Sequence, residues 1–151
     1  MEFLPRVEGE GRVVVKKSGD SIVVELYFTE PQRYFEKILR GIYFVDGVDI
    51  VSRICGFCSI SHMYAYVKAF EQYIEIPWEV EEYRIAILYG ERIKSHLLHT
   101  CFLYLPDLLN VRSINEFFNK YTGLAMTCLR MFNSIYRFLA IFSGRIHNIV
   151  N

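Results

Sequence analysis

Two cysteines three residues apart stand in the run Arg53-Ile54-Cys55-Gly56-Phe57-Cys58, and His62 follows four residues beyond the second. Thiolates at that spacing, on a tight turn that opens a helix, can grip one metal centre from one side. Gly56 is expected to let the backbone curl so that both sulfurs converge. The helix N-terminus and Arg53 would both favour thiolate over thiol. Two sulfurs do not close a site, because a structural zinc takes about four ligands and the sequence has no second Cys-x-x-Cys. His62, one helical turn after Cys58, suits three roles: a ligand, a hydrogen-bond donor to a metal-bound sulfur, or an ordinary core histidine. Cys101 and Cys128 stand isolated in apolar stretches and read as buried small hydrophobes. His96 and His99 share a helix face. With no ligand set around them, they read as hydrogen-bonding groups between packed helices.

The elements that must position these residues follow from hydrophobic period and from turn chemistry. Gly11 to Phe28 reads as a β-hairpin, with β-branched runs on either side of Ser18-Gly19-Asp20. Pro31 sits where a helix would begin, Tyr34, Phe35, Ile38 and Leu39 keep helical spacing, and Gly41 fits the stop. Ile42 to Ser52 reads as a connection. From Ser61 the stripe His62, Ala65, Tyr66, Ala69, Phe70 and Tyr73 predicts a helix ending near Pro77. A long helix is predicted from Trp78, with Ile85, Leu88, Tyr89, Ile93 and Leu97 as its apolar face and Pro106 as its stop. Ser113 with Glu116 is a capping-box signature, and Tyr121 to Phe142 is a further apolar helix closed by Ser143-Gly144. The predicted class is α+β: an antiparallel hairpin or small sheet, then mostly helices forming part of a bundle.

At 151 residues the chain has the length of one domain, and residues 1–151 are read as such. Lys+Arg and Asp+Glu are 17 each. That balance gives no whole-molecule attraction to nucleic acid or anionic membrane. With 52% hydrophobic and 23% charged residues, the composition is not that of a disordered chain. The most apolar stretch, Leu97 to Leu109, carries His99 and Asp107 and is too short to span a bilayer. The charged first twelve residues do not read as a secretory signal. Aromatics reach 16%, which suits either a packed aromatic core or a surface buried against a permanent partner.

Arg53-Ile54-Cys55-Gly56-Phe57-Cys58-Ser59-x-Ser61-His62 resembles the N-terminal cysteine motif of the nickel–iron hydrogenase large subunit. Further similarities fall in order along nearly the whole chain. Arg6-Val7-Glu8-Gly9 resembles the family's opening motif, and Phe35 to Gly41 the stretch before the cysteines. Asp46 falls where the family often has Asp-Ala-Pro. Ser95-His96-x-x-His99 and Leu105-Pro106-Asp107 resemble the long helix and its end, and Gly144-Arg145-x-His147 resembles Gly-Gly-Arg-x-His. The wording is closest to the soluble, multi-subunit cytoplasmic class. Glu10, Ser143 and Asn148 depart from residues common at their positions.

The resemblance implies that Cys55 is a terminal nickel ligand and Cys58 a bridge between nickel and iron. It implies an iron that carries carbon monoxide and cyanide supplied by maturation proteins. His62 would hydrogen-bond near the bridging sulfur, with Arg53 beside the motif. Glu8, by itself an ordinary surface charge, would pass protons to and from a nickel-bound cysteine. Glu36, by itself a helix-face charge, would be a magnesium ligand. The implied chemistry is heterolytic splitting of dihydrogen or its reverse, with electrons leaving through an iron–sulfur small subunit. The family's second motif, Asp-Pro-Cys-x-x-Cys-x-x-His, is absent from the sequence. The expected arrangement is therefore an N-terminal portion of a large subunit that works with a complementary chain bearing the other cysteine pair. Two alternatives stand beside it: a non-catalytic remnant or scaffold without metals, and a small zinc or iron–sulfur module completed by dimerisation.

Overall fold

The structure is a computed structural model that describes residues 11–28 and 30–143. Glu8 and the stretch Gly144 to His147 lie outside the described residues. Strands β1 (Gly11–Ser18) and β2 (Ser21–Phe28) form a two-stranded antiparallel sheet in which Ser18 pairs with Ser21. Gly19 takes φ +60 while Asp20 keeps an ordinary negative φ, the pattern of a two-residue II′ turn whose twist matches the strands. Lys16 donates to Glu25 at 2.8 Å and the Tyr27 hydroxyl donates to the same carboxylate at 2.6 Å. Both faces of the hairpin are open to solvent, Phe28 being 79% exposed. The helices α1 (Phe35–Ile38), α2 (Phe44–Val51), α3 (Ser59–Glu71), α4 (Trp78–Leu98), α5 (Leu105–Leu108), α6 (Ile114–Lys120) and α7 (Thr122–Ser143) follow. The α+β class is therefore observed.

Three local expectations are corrected. The stretch read as a connection contains α2. Its glycine is what lets the helix pack: a Cβ at Gly47 would lie 2.1 Å from the Tyr66 hydroxyl of α3. A residue that weakens helix propensity locally is thus demanded by a tertiary contact. Pro31 does not open a helix, because Tyr34 is in the left-handed conformation and α1 is one short turn. Pro106 does not stop the long helix. A π-helical stretch, His99–Tyr104, follows α4, and α5 runs through Pro106. The wider turn accommodates a residue with no N–H to donate. The stop comes at Asn110, in the left-handed conformation (φ 54). There the Val111 N–H donates to the Pro106 carbonyl at 2.8 Å and the Asn110 N–H to the Asp107 carbonyl at 3.1 Å, a Schellman closure. The predicted cap is present with one shift: Ser113 Oγ accepts from Glu116 N at 3.2 Å, but the Glu116 carboxylate accepts from Arg112 N, at 3.0 Å, one residue before the N-cap.

Helices α4 and α7 cross closely at Gly90. Ile60 of α3 and Leu139 of α7 form one core cluster with Met63, Ile87, Leu88 and Phe138. Val111, Phe117 and Ala125 form a second, with Leu109, Phe118 and Tyr121. The apolar face predicted for the long helix is only partly buried here. Tyr89 is 62% exposed and Ile93 51%, while Glu91 and Lys94 on another face are buried. Burial in this helix follows contact with α3 and α7 instead of the hydrophobic stripe.

Candidate metal centre

Cys55, Cys58 and His62 come together, their possible ligand atoms all lying within 4.8 Å of one another. All three are half-buried. Among the described residues this is the only convergence of three or more His, Cys, Asp or Glu side chains. Two thiols and an imidazole are a soft, nitrogen–sulfur donor set. It fits nickel, zinc or an iron–sulfur centre and is ill suited to calcium or magnesium.

The loop that carries the cysteines is held from several sides. Ser52, fully buried at the end of α2, donates its hydroxyl to the Asp49 carbonyl at 2.6 Å. The Arg33 guanidinium donates to the carbonyls of Arg53, at 3.2 Å, and Ile54. Cys58 is the N-cap residue of α3, and its carbonyl accepts from the His62 N–H at 3.2 Å. That bond places the imidazole one turn along the helix from the second sulfur. Gly56 has an ordinary φ and open space where a Cβ would stand. The convergence of the sulfurs therefore does not depend on glycine's conformational freedom, as expected from the sequence, but on these anchors.

Arg53 is exposed and pairs with Asp49 at 3.2 Å. The buried cation that feels the charge of the cysteines is Lys94, 3% exposed. Burial pushes its ammonium below the usual lysine range, while Glu91, Cys55 and Cys58 act in the opposite sense. Glu91, 1% exposed, accepts from Ile60 N at 2.7 Å and from Ser61 N and Oγ at 2.8 and 2.6 Å. Sequence reasoning missed Arg33, Glu91 and Lys94. Each looks like a surface charge: Arg33 stays exposed yet reaches the loop carbonyls, whereas the packing of α4 on α3 buries Glu91 and Lys94.

The other anticipated residues fall elsewhere. Glu36 is exposed in the first turn of α1. His96 is exposed, so it does not bond between packed helices, and His99 stacks on Tyr104 with ring centroids 6.3 Å apart. Cys101 and Cys128 are buried as expected but not isolated: the thiol of Cys101, in the π-helical stretch, interacts with that of Cys128 in α7. Burial first, and Cys128 second, push the Cys101 thiol up to about 12.

Residues 33–151 match the nickel-dependent hydrogenase family. The chain belongs to that family. It is 39% identical over 111 residues to sulfhydrogenase 2 subunit alpha of Pyrococcus furiosus, covering 72% of this chain and 27% of that protein. It is 31% identical over 114 residues to the NAD-reducing hydrogenase HoxS subunit beta of Cupriavidus necator, covering 69% and 23%. The solved structure of an NAD+-reducing NiFe-hydrogenase in the H2-reduced state superposes with a TM-score of 0.79 at 27% identity, covering 94% of this chain and 34% of that one. The chain thus spans about a quarter to a third of the length of these relatives. No helix among the described residues is long and apolar enough to cross a membrane.

Proposed function

We propose that residues 1–151 are one domain, the N-terminal portion of a nickel–iron hydrogenase large subunit, contributing Cys55 and Cys58 to a nickel–iron centre that needs further ligands from another polypeptide segment. The observation that carries this reading is the convergence of Cys55, Cys58 and His62 within 4.8 Å, inside the matched residues. When bound, such a centre supplies the heterolytic splitting of dihydrogen or its reverse, and its iron would hold carbon monoxide and cyanide. The chain's own residues bind, orient and move protons. Cys55 and Cys58 would supply two soft sulfurs to hold the nickel and iron. His62 would donate a hydrogen bond to sulfur or a neighbouring ligand and so orient it. Glu8 would accept and release a proton at its carboxylate, and Glu36 would hold magnesium through an oxygen. Arg53 flanks the motif, and Arg33 fixes the carbonyls that precede the first sulfur. An iron–sulfur small subunit would carry electrons, and maturation proteins would load the metals in the cytoplasm.

One observation favours a second reading. Two thiolates and an imidazole are three donors of an ordinary zinc set, which dimerisation could complete. Elemental analysis after anaerobic co-purification with neighbouring gene products separates the readings. Nickel and iron bound together, and lost in Cys58→Ser, support the hydrogenase reading. Zinc alone supports the second, and metal-free protein rejects both.

A further inference from the structure

We propose that Glu91 is a positioning residue that caps the cysteine helix from 30 residues away and holds Cys58 and His62 in ligand geometry before any metal is bound. The inference rests on reading Cys55 and Cys58 as ligands. The first turn of a helix has backbone N–H groups with no partner inside the helix, and a Ser, Thr, Asp or Asn at the N-cap accepts from them. Here the N-cap is Cys58, which makes no side-chain cap bond. A sulfur that is to bind metal cannot also turn back onto its own helix. Both carboxylate oxygens of Glu91 do that work instead. Oε1 accepts from Ile60 N, and Oε2 accepts from Ser61 N and Oγ, at 2.6 to 2.8 Å.

The carboxylate is also well placed for the positive end of the α3 dipole. A carboxylate this deeply buried needs a counter-charge, and Lys94, one turn further along α4 and equally buried, feels its charge together with that of the two cysteines. The same α4 backbone therefore fixes the start of α3 and places a cation near the sulfurs. Because His62 N–H donates to the Cys58 carbonyl, an error in the first turn of α3 would move sulfur and imidazole together.

The test uses the full chain under anaerobic conditions with Co(II) as the probe, read by thiolate-to-cobalt charge-transfer absorption, and amide hydrogen exchange without metal. In Glu91→Gln the amide group would face the Ser61 N–H with a donor. Affinity for Co(II) should fall about tenfold, the size of a lost cap, and exchange at Ile60 and Ser61 should speed up while Phe117 and Ala125 stay protected. Unmutated affinity and unmutated exchange in Glu91→Gln would overturn the proposal. If the band is missing even in the unmutated chain, the ligand reading fails by itself, and the exchange arm still decides the cap. If Glu91→Gln does not fold, Ser61→Ala carries the test, since it deletes one of three bonds and no charge. About threefold weaker binding is expected there, and unchanged binding and exchange would overturn the cap.

Discussion

Gly90 is where the packing can be tested most directly. A Cβ built there would lie 2.8 Å from Leu139 Cδ2, 2.8 Å from Phe138 Cε1 and 3.1 Å from Phe138 Cδ1. Carbon atoms prefer about 3.5–4.0 Å, so α4 and α7 would have to separate locally by about 0.7 Å. Leu139 is fully buried and packs on Ile60, which leaves little free space to take up the shift. Overpacking of this kind costs about 1–3 kcal/mol, against a gain of about 1 kcal/mol from replacing a helical glycine. Gly90→Ala should therefore destabilise by about 0–2 kcal/mol. Gly123 provides the internal control, since it lies in α7 with nothing within 4 Å of its built Cβ. Gly123→Ala should stabilise by about 0.5 kcal/mol. Urea unfolding gives both values, with unchanged m marking a change in stability alone. Gly90→Ala as stable as Gly123→Ala would refute the reasoning. Gly90→Ala also moves the residue next to Glu91, so exchange at Ile60 and Ser61 should quicken in that variant and not in Gly123→Ala.

Three further outcomes are expected. With Ellman's reagent, Cys55 and Cys58 should react in the native chain, whereas buried Cys101 and Cys128 should react only after unfolding; four equally fast thiols would contradict the burial of Cys101 and Cys128. The Cys101 thiol is raised from an ordinary 9.0 to about 12, so the unfolded chain loses that proton first. The stability it contributes is complete below pH 9 and is lost as pH rises toward 12. Urea midpoints should consequently fall more steeply between pH 8 and pH 11 in the unmutated chain than in Cys101→Ala, and parallel slopes would contradict this. Ser113→Ala should cost about 1 kcal/mol in urea unfolding through loss of the α6 cap, and no cost would show that the capping bond contributes nothing.

Much apolar surface stays open among the described residues. The chain covers about a third of the solved structure it superposes on, and Tyr89, Ile93, Phe28 and Trp78 are all exposed here. A long helix with apolar residues on several sides buries more than one face. Two of those sides find α3 and α7 within the described residues, and the third does not. The aromatics are divided between buried or half-buried positions such as Phe117 and exposed ones such as Tyr89 and Trp78.

Local sequence by itself determined the parts governed by near neighbours. β-branched runs around Gly19 make the hairpin, Ser113 and Glu116 start α6, and the spacing of Cys55, Cys58 and His62 is enough for a helical turn to gather their donors. Tertiary structure decided whatever depends on distant residues. Phe44 to Val51 became a helix because Gly47 leaves room for Tyr66, nineteen positions away in number but adjacent in space. Pro106 lies inside a helix because the preceding turn widened to receive it. Glu91 and Lys94, indistinguishable in the sequence from solvated charges, were buried because α4 packs against the start of α3. An unfilled backbone donor at a helix end and an uncompensated buried charge are each costly, and together they can satisfy one another only once the two helices have met.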